Sequence, residues 1–471
     1  MGVENTQSFS AFDSALVDRL AASFRRRGQQ LFLVGGSVRD ELLRRSTHDL
    51  DFATNAPPEA TRAILGETNP TSVYSVGEKF GTIGAVFGDL AVEITTFRGE
   101  SYEPGSRKPK VQYGASLAED LSRRDFTINA MARDLATGDL VDLFGGVGDL
   151  AAGLIRAVGD PVQRFVEDPL RLLRAARFAA QLGFDVEDTT ASAARQCAAS
   201  LAQVSRERIL DELNRLLVAP HAADGLRLMN DLGLLDAILP EVVDLRRTTQ
   251  GTRSKDVFEH TLRVVERTRP DLVLRWAALL HDIGKPRTIV QSNGEIHFPA
   301  HEVVGERLAG EILTRLRADG DLTTRVRRLA GMHMRANQYE DDWSDGAVRR
   351  LAREAGLDLN LLLELSTADV TSYRAAKVEA ARARVHRLRE RIRQLEEQAS
   401  LAEIKSPLNG DELMTLFGRG PGPWIKPIKD YLLDLVLEGE LLPNDRETAI
   451  ALAQQYVATQ ASEAGSADGS T

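Results

Sequence analysis

The stretch LFLVGGSVRDELLRRSTHDLDFAT, residues 31–54, decides the fold. It opens on a short apolar run, LFLV, closed by Gly35 and Gly36. A helical pattern follows on Val38, Leu42 and Leu43, and then comes Asp49-Leu50-Asp51-Phe52. In an extended chain successive side chains point to opposite faces, so Asp49 and Asp51 share one face and Leu50 and Phe52 the other. Two neighbouring carboxylates repel unless a cation lies between them. Hard oxygen donors suit Mg2+, which shares its shell with substrate phosphates. The glycines let a phosphate approach the backbone at a helix start, where N–H groups point outward. Arg39, one turn in, adds a charge-assisted donor. A phosphate cradle and a carboxylate pair joined by a short helix are the parts that nucleotidyl transfer needs.

Working outward, residues 1–30 read as a leading helix that ends in Arg25-Arg26-Arg27. Downstream, TIGAVF and LAVEITTF alternate as two strands around a turn at Gly88-Asp89. Glu93 on the second strand is either a third acidic group near the metal or a solvated strand residue. Residues 98–110, RGESYEPGSRKPK, are expected to form a polar loop near the substrate. The segment LAEDLSRRDFTINAM then gathers Arg123, Arg124 and Asp125. In EDPLRLLRAARF, Asp168, Arg171, Arg174 and Arg177 recur at every third residue, one polar stripe on a helix. Such a stripe is usually a solvated, salt-bridged face. The pair Asp168 and Arg171 also suits base recognition, a carboxylate accepting an exocyclic amine and an arginine donating to ring acceptors. Cytosine and adenine fit that pair, whereas uracil and guanine present a carbonyl to the carboxylate.

The remaining bounds are ordinary. The chain has 471 residues, 43% hydrophobic and 27% charged, which describes a globular protein of about three domains. Cys197 is the single cysteine, so no intrachain disulfide forms and a reducing, cytoplasmic setting is expected. The first residues lack a signal-peptide pattern and no run is long and apolar enough for a membrane. A net charge of −10 argues weakly against nucleic acid, but binding depends on local patches.

The segments VGGSVRD, DLDF, RRDFTINAM and EDPLRLLRAARF, in this order, resemble the tRNA nucleotidyltransferases of the bacterial class that also contains poly(A) polymerases. The resemblance implies an α+β fold: a polymerase-β-like head with a small mixed sheet, followed by all-α neck, HD and tail domains. It implies that Asp49 and Asp51 hold Mg2+; Glu93 stays a candidate third catalytic carboxylate on its strand position alone. Gly36, Arg39, Arg124, Asp168, Arg171, Arg174 and Arg177 match nucleotide-binding positions. The reaction implied is addition of CCA to the tRNA 3′ end from CTP and ATP, with pyrophosphate leaving. Poly(A) polymerases share these motifs, and CC-only or A-only addition would use them too.

A second group of residues lies further on. His260, His281-Asp282 in HDIGK, His301, His333 and Asp369 fall in one region, with His297 beside them. Imidazole with carboxylate suits a borderline divalent metal, and a bound metal produces a nucleophile at neutral pH. The pattern resembles HD-type phosphohydrolases. That resemblance makes His260, His281, Asp282 and Asp369 the core ligands and His301 and His333 ligands of a second metal. A structural metal site is the competing reading, and the ligand types do not select the ion.

The expected organisation is a leading helix at 1–30, a head at 31–160, a neck at 161–245, an HD domain at 246–375, a helical tail at 376–460 and a disordered end at 461–471. The neck beyond residue 186 is expected to pack without chemistry of its own. The Arg-rich run 374–397 reads as an amphipathic helix or a stripe for RNA phosphates. Partners are expected to be tRNA, CTP and ATP, with no membrane, no required protein partner, and a monomer or weak homo-oligomer.

Overall fold

A computed structural model describes residues 11–45, 49–75, 81–101, 110–113, 116–246, 249–250, 255–292, 295–370, 375–400 and 406–467. The chain divides into two compact units, residues 1–243 and 244–471.

The first unit begins with α1 (Ala11–Arg26), β1 (Leu31–Val34), α2 (Gly36–Leu42), β2 (Asp49–Thr54), α3 (Pro58–Gly66), β3 (Ser72–Ser75), β4 (Thr82–Phe87) and β5 (Leu90–Thr96). It continues with β6 (Arg98–Ser101), β7 (Lys110–Tyr113), α4 (Leu117–Ser122), β8 (Met131–Asp134) and β9 (Leu140–Asp142). Seven strands form one mixed sheet in the order β3-β4-β5-β2-β1-β8-β9. Only β2 and β5 run parallel within it. All four residues of β1 are buried, as a central strand between β2 and β8 requires. On β2, Leu50 and Phe52 are buried while Asp51 is exposed, so one face carries core and the other chemistry. The fold is therefore α+β, as expected.

The ends of the 98–110 segment are not loop: Arg98–Ser101 and Lys110–Tyr113 pair as an antiparallel ribbon, and residues 102–109 lie outside the described residues.

Helices follow: α5 (Gly146–Ala152), α6 (Pro161–Glu167), α7 (Leu170–Leu182), α8 (Asp188–Cys197), α9 (Arg206–Leu217), α10 (Ala222–Asp231), α11 (Leu234–Ile238) and α12 (Pro240–Arg246). Asp160 caps α6 through the N–H groups of Val162 and Gln163, with Pro161 in the first turn. Asp168 does not sit on the helix of the arginines. It is extended, at φ −141° and ψ 99°, between α6 and α7. Pro169 is the reason, because its ring disfavours a helical residue before it.

The second unit is mostly helical: α13 (Val257–Arg267), α14 (Leu272–Leu280), α15 (Lys285–Thr288), α16 (His301–Arg315), α17 (Gly320–Asn337), α18 (Asp345–Ala355), α19 (Leu359–Asp369), α20 (Ala375–Ser400), α21 (Gly410–Phe417), α22 (Ile425–Glu438) and α23 (Arg446–Ala467). Helix α14 is buried over Val273–Leu280 and carries His281 at its end. Gly284 then presses this turn against α16; a Cβ there would lie 2.1 Å from the His301 carbonyl oxygen. That approach explains the glycine of HDIGK.

On α20, Val385, Leu388, Ile392 and Leu395 are buried, and Arg387 and Arg391 pair with Asp341 and Asp345. These pairs are the salt-bridged amphipathic face expected of such a helix. The expected disorder of 461–471 is corrected in part, since α23 runs to Ala467. Among the described residues no helix is long and apolar enough to cross a membrane.

Candidate active site

A cavity of about 740 Å3 opens on the exposed face of β2. Asp51, Gly35, Gly36, Arg39, Arg124, Asp168, Arg171, Arg174 and Arg177 all line it. Sequence-distant residues meet here because β1–α2–β2 supplies one wall, the Arg123–Asn129 turn a second and α7 a third. Eight arginines and four aspartates face the space, a setting that concentrates a polyanion.

Local chain geometry builds the cradle. Gly35 caps α2 at φ +69°, a conformation that glycine adopts without cost. A Cβ there would lie 2.6 Å from Arg124 Nη1, so the missing side chain also makes room for that guanidinium. Ser37 on α2 accepts the Asp51 N–H at 3.1 Å, fixing the helix to the carboxylate strand. In the parallel register Asp51 stands opposite Glu93. Glu93 is half-buried and is not among the cavity-lining residues. Position 49 lies two residues before Asp51, opposite Ala91. The Asp49 side chain falls outside the described residues.

The arginines are held by a buried network. Arg39 donates to Asp40 at 2.9 Å and to Asn129 Oδ1 at 2.8 Å. Arg171 donates to the Arg123 carbonyl at 2.8 Å and to Glu167 at 3.0 Å. Arg174 donates to Asp125 at 2.7 Å, and Arg177 reaches Glu212 on α9 at 2.5 Å. Three guanidinium groups surround the Phe178 ring: Arg177 at 4.0 Å, Arg39 at 5.2 Å and Arg174 at 5.3 Å. The negative ring face partly offsets the repulsion among them.

Burial opposes ionisation of Asp125, but Arg174, Asn129 and the Phe126 N–H outweigh it and hold its carboxyl down at about 2. Because the folded-state value lies below the unfolded one, this carboxylate stabilises the fold fully above the unfolded value. Its contribution, about 2 kcal/mol, is lost as pH falls from about 4 towards 2. Acid titration of the unfolding midpoint is expected to show that loss, and Asp125→Asn to remove this part of the slope.

The second unit holds a separate centre. His260 Nε2 lies 3.0 Å from Asp369 and 3.3 Å from Asp282, and His281 Nε2 lies 3.2 Å from Asp282 and 3.4 Å from Asp369. The other Asp282 oxygen faces His301 at 3.5 Å and His333 at 3.8 Å. The six residues thus form two ligand triads, His260–His281–Asp369 and Asp282–His301–His333. Asp282 turns one oxygen towards each.

Backbone carbonyls of Ala278, Phe298 and Ala330 engage the Nδ1 atoms of His281, His301 and His333. Their Nε2 atoms are therefore directed inward, the outer support common to metal-binding histidines. Among the described residues the buried Nε2 atoms of His301 and His333 have no hydrogen-bond partner, which a cation would supply. Burial and the neighbouring His281 push His333 down to about 4, leaving its imidazole neutral and able to ligate. Burial opposes charge on His281, but Asp282 and Asp369 outweigh it and push the ring up to about 10. Metal binding there would release that proton.

Three family models match: the poly A polymerase head domain over residues 31–156, the probable RNA- and SrmB-binding site of polymerase A over 183–245, and the HD domain over 254–374. The CCA-adding enzyme of Streptococcus gordonii is 34% identical over 435 residues, 90% of this chain and 93% of its own. The chain belongs to the tRNA nucleotidyltransferase family. The A-adding tRNA nucleotidyltransferase of Deinococcus radiodurans is 36% identical over 426 residues, 87% of this chain and 92% of its own. The crystal structure of the Bacillus stearothermophilus CCA-adding enzyme in complex with CTP aligns with a TM-score of 0.69 at 27% identity, covering 97% of this chain and all of that one.

Within this tRNA nucleotidyltransferase, several cavity groups escape a reading of the sequence. Arg208 and Arg215 on α9 line the cavity, although that helix reads as packing alone. The buried Asp120 pairs with two of the lining arginines, Arg123 at 2.7 Å and Arg124 at 3.4 Å. Asp168, one residue before the Pro169 N-cap of α7, accepts the Leu170 N–H at 3.2 Å and pairs with Arg208 at 2.9 Å. The expected stripe of four polar residues is thus three helical arginines plus one carboxylate from the preceding junction.

Proposed function

We propose that this chain adds CCA to the 3′ end of tRNA, without a template, using CTP and ATP. The observation that carries the reading is the cavity in which Asp51 faces Arg124, Asp168, Arg171, Arg174 and Arg177. Asp49 and Asp51 are the carboxylates that would hold Mg2+, and their oxygen donors fit that ion. Bound Mg2+ supplies charge neutralisation for the attacking and leaving oxygens. The chain's own groups do the rest. Gly35 and Gly36 leave space for phosphates beside α2. The arginines bind the triphosphate and orient its α-phosphorus towards the tRNA 3′-hydroxyl. Asp168 and Arg171 read the amino-bearing edge of cytosine or adenine. Each chain carries a complete set of these groups, so a monomer suffices, and the single cysteine fits the cytoplasm.

The test is incorporation into tRNA transcripts that end before CCA or after CC, with CTP, ATP or both. Two C residues and one A, followed by a stop, support the reading. Use of ATP on the CC-ended transcript alone makes the chain an A-adding enzyme. Long runs of A make it a poly(A) polymerase.

A second activity, metal-dependent phosphohydrolysis at the HD centre, is favoured by the two neighbouring triads, towards each of which Asp282 turns one oxygen. His301→Ala is expected to lower bound transition metal by about one equivalent per chain, measured by elemental analysis. Phosphomonoester or cyclic phosphodiester hydrolysis should fall with it, and nucleotide incorporation should not change. Unchanged metal content would remove His301 from the ligand set.

A further inference from the structure

We propose that Arg208 is a positioning residue that sets base selectivity at the head site through Asp168. The inference rests on the reading that Asp168 and Arg171 recognise the incoming base. Asp168 is extended because Pro169 follows it, so its carboxylate leaves the chain from the gap between α6 and α7. Its Oδ1 accepts the Leu170 N–H at 3.2 Å, and its Oδ2 accepts Arg208 Nη2 at 2.9 Å. Two anchors from different helices fix one orientation. A carboxylate offers about four lone-pair sites, so both oxygens retain accepting capacity.

The cavity therefore meets an acceptor of fixed direction. The N4 amine of cytosine or the N6 amine of adenine satisfies it. The carbonyl oxygens of uracil and guanine face it acceptor to acceptor. Discrimination of this kind holds only while the acceptor cannot turn away from the wrong base. Arg208 removes that escape. Folding stability is not its main contribution, because the Arg208 side chain is 52% exposed and that of Asp168 30%. Ion pairs this open contribute little to the folded state.

The test measures kcat/KM for CTP and UTP on a tRNA transcript lacking its 3′ end, with the full chain and the variants Arg208→Ala, Arg208→Lys and Asp168→Asn. Arg208→Ala is expected to reduce the preference for CTP over UTP by about 10-fold, with its melting midpoint unchanged. Arg208→Lys should restore part of the preference, since an ammonium supplies one point contact without the planar fork. Equal losses for CTP and UTP in Arg208→Ala would overturn the proposal and make Arg208 a general nucleotide contact. A shifted ratio in Asp168→Asn alone would overturn it while leaving the base-reading role of Asp168 intact. An unchanged ratio in Asp168→Asn would overturn both.

Discussion

Asp51→Asn is expected to slow nucleotide incorporation by about 10³-fold while leaving CTP binding nearly intact. The substitution preserves size and shape, and the strand around it does not depend on the charge. Leu50 and Phe52, on the opposite face, bury β2 in the core, and the Asp51 N–H donates to Ser37. What is lost is an anionic oxygen facing the cavity, the donor type that a hard divalent cation prefers. On the proposed reading triphosphate affinity belongs mainly to the arginines, of which Arg171, Arg174 and Arg177 are anchored by the Arg123 carbonyl, Asp125 and Glu212. Single-turnover incorporation of CMP would give the rate, and calorimetric titration with CTP the affinity. A variant that retains more than about a tenth of the rate would take Asp51 out of the metal site. Loss of CTP binding in step with the rate would make Asp51 a nucleotide contact instead.

The carboxylate strand was legible because its signal is local. Apolar residues at 50 and 52 alternate with acidic ones at 49 and 51, and a period of two needs no knowledge of the rest of the chain. HDIGK was legible for a similar reason, and its glycine has a steric cause in the approach to His301. The arginine partners were not legible. Arg174 meets Asp125 across 49 residues of sequence and Arg177 meets Glu212 across 35, distances over which periodicity carries no information. For the same reason α9 reads as plain packing while two of its arginines face the cavity. The placement of Asp168 had a local signal after all. An Asp-Pro step predicts an extended residue and a helix that restarts beyond it, which counting every third residue overrides. The strands at 98–101 and 110–113 are four residues each, too short for alternation to separate from loop.

Glu212→Ala is expected to destabilise the first unit by about 3–5 kcal/mol, the cost of leaving a buried cation without its partner. Glu212 and Arg177 are both almost fully buried, and Glu212 also lies 3.7 Å from Arg174. Removing it leaves three clustered guanidinium groups around Phe178, with Arg177 keeping Gln181 and the ring face but no directly paired carboxylate among the described residues. Burial already disfavours the charged form of Arg177, and Glu212 is the largest opposing influence. Glu212→Gln should cost less, because an amide oxygen can still accept from the guanidinium although the charge is gone. The urea midpoint should therefore fall in the order wild type, Gln, Ala, with an unchanged dependence on urea concentration if the unfolded state is unaffected. The same series should raise KM for CTP, since Arg174 and Arg177 lose the anchor that aims them into the cavity. Equal midpoints for Ala and wild type would mean that solvent already compensates Arg177, and the buried network would then explain neither the stability of the neck nor the posture of its arginines.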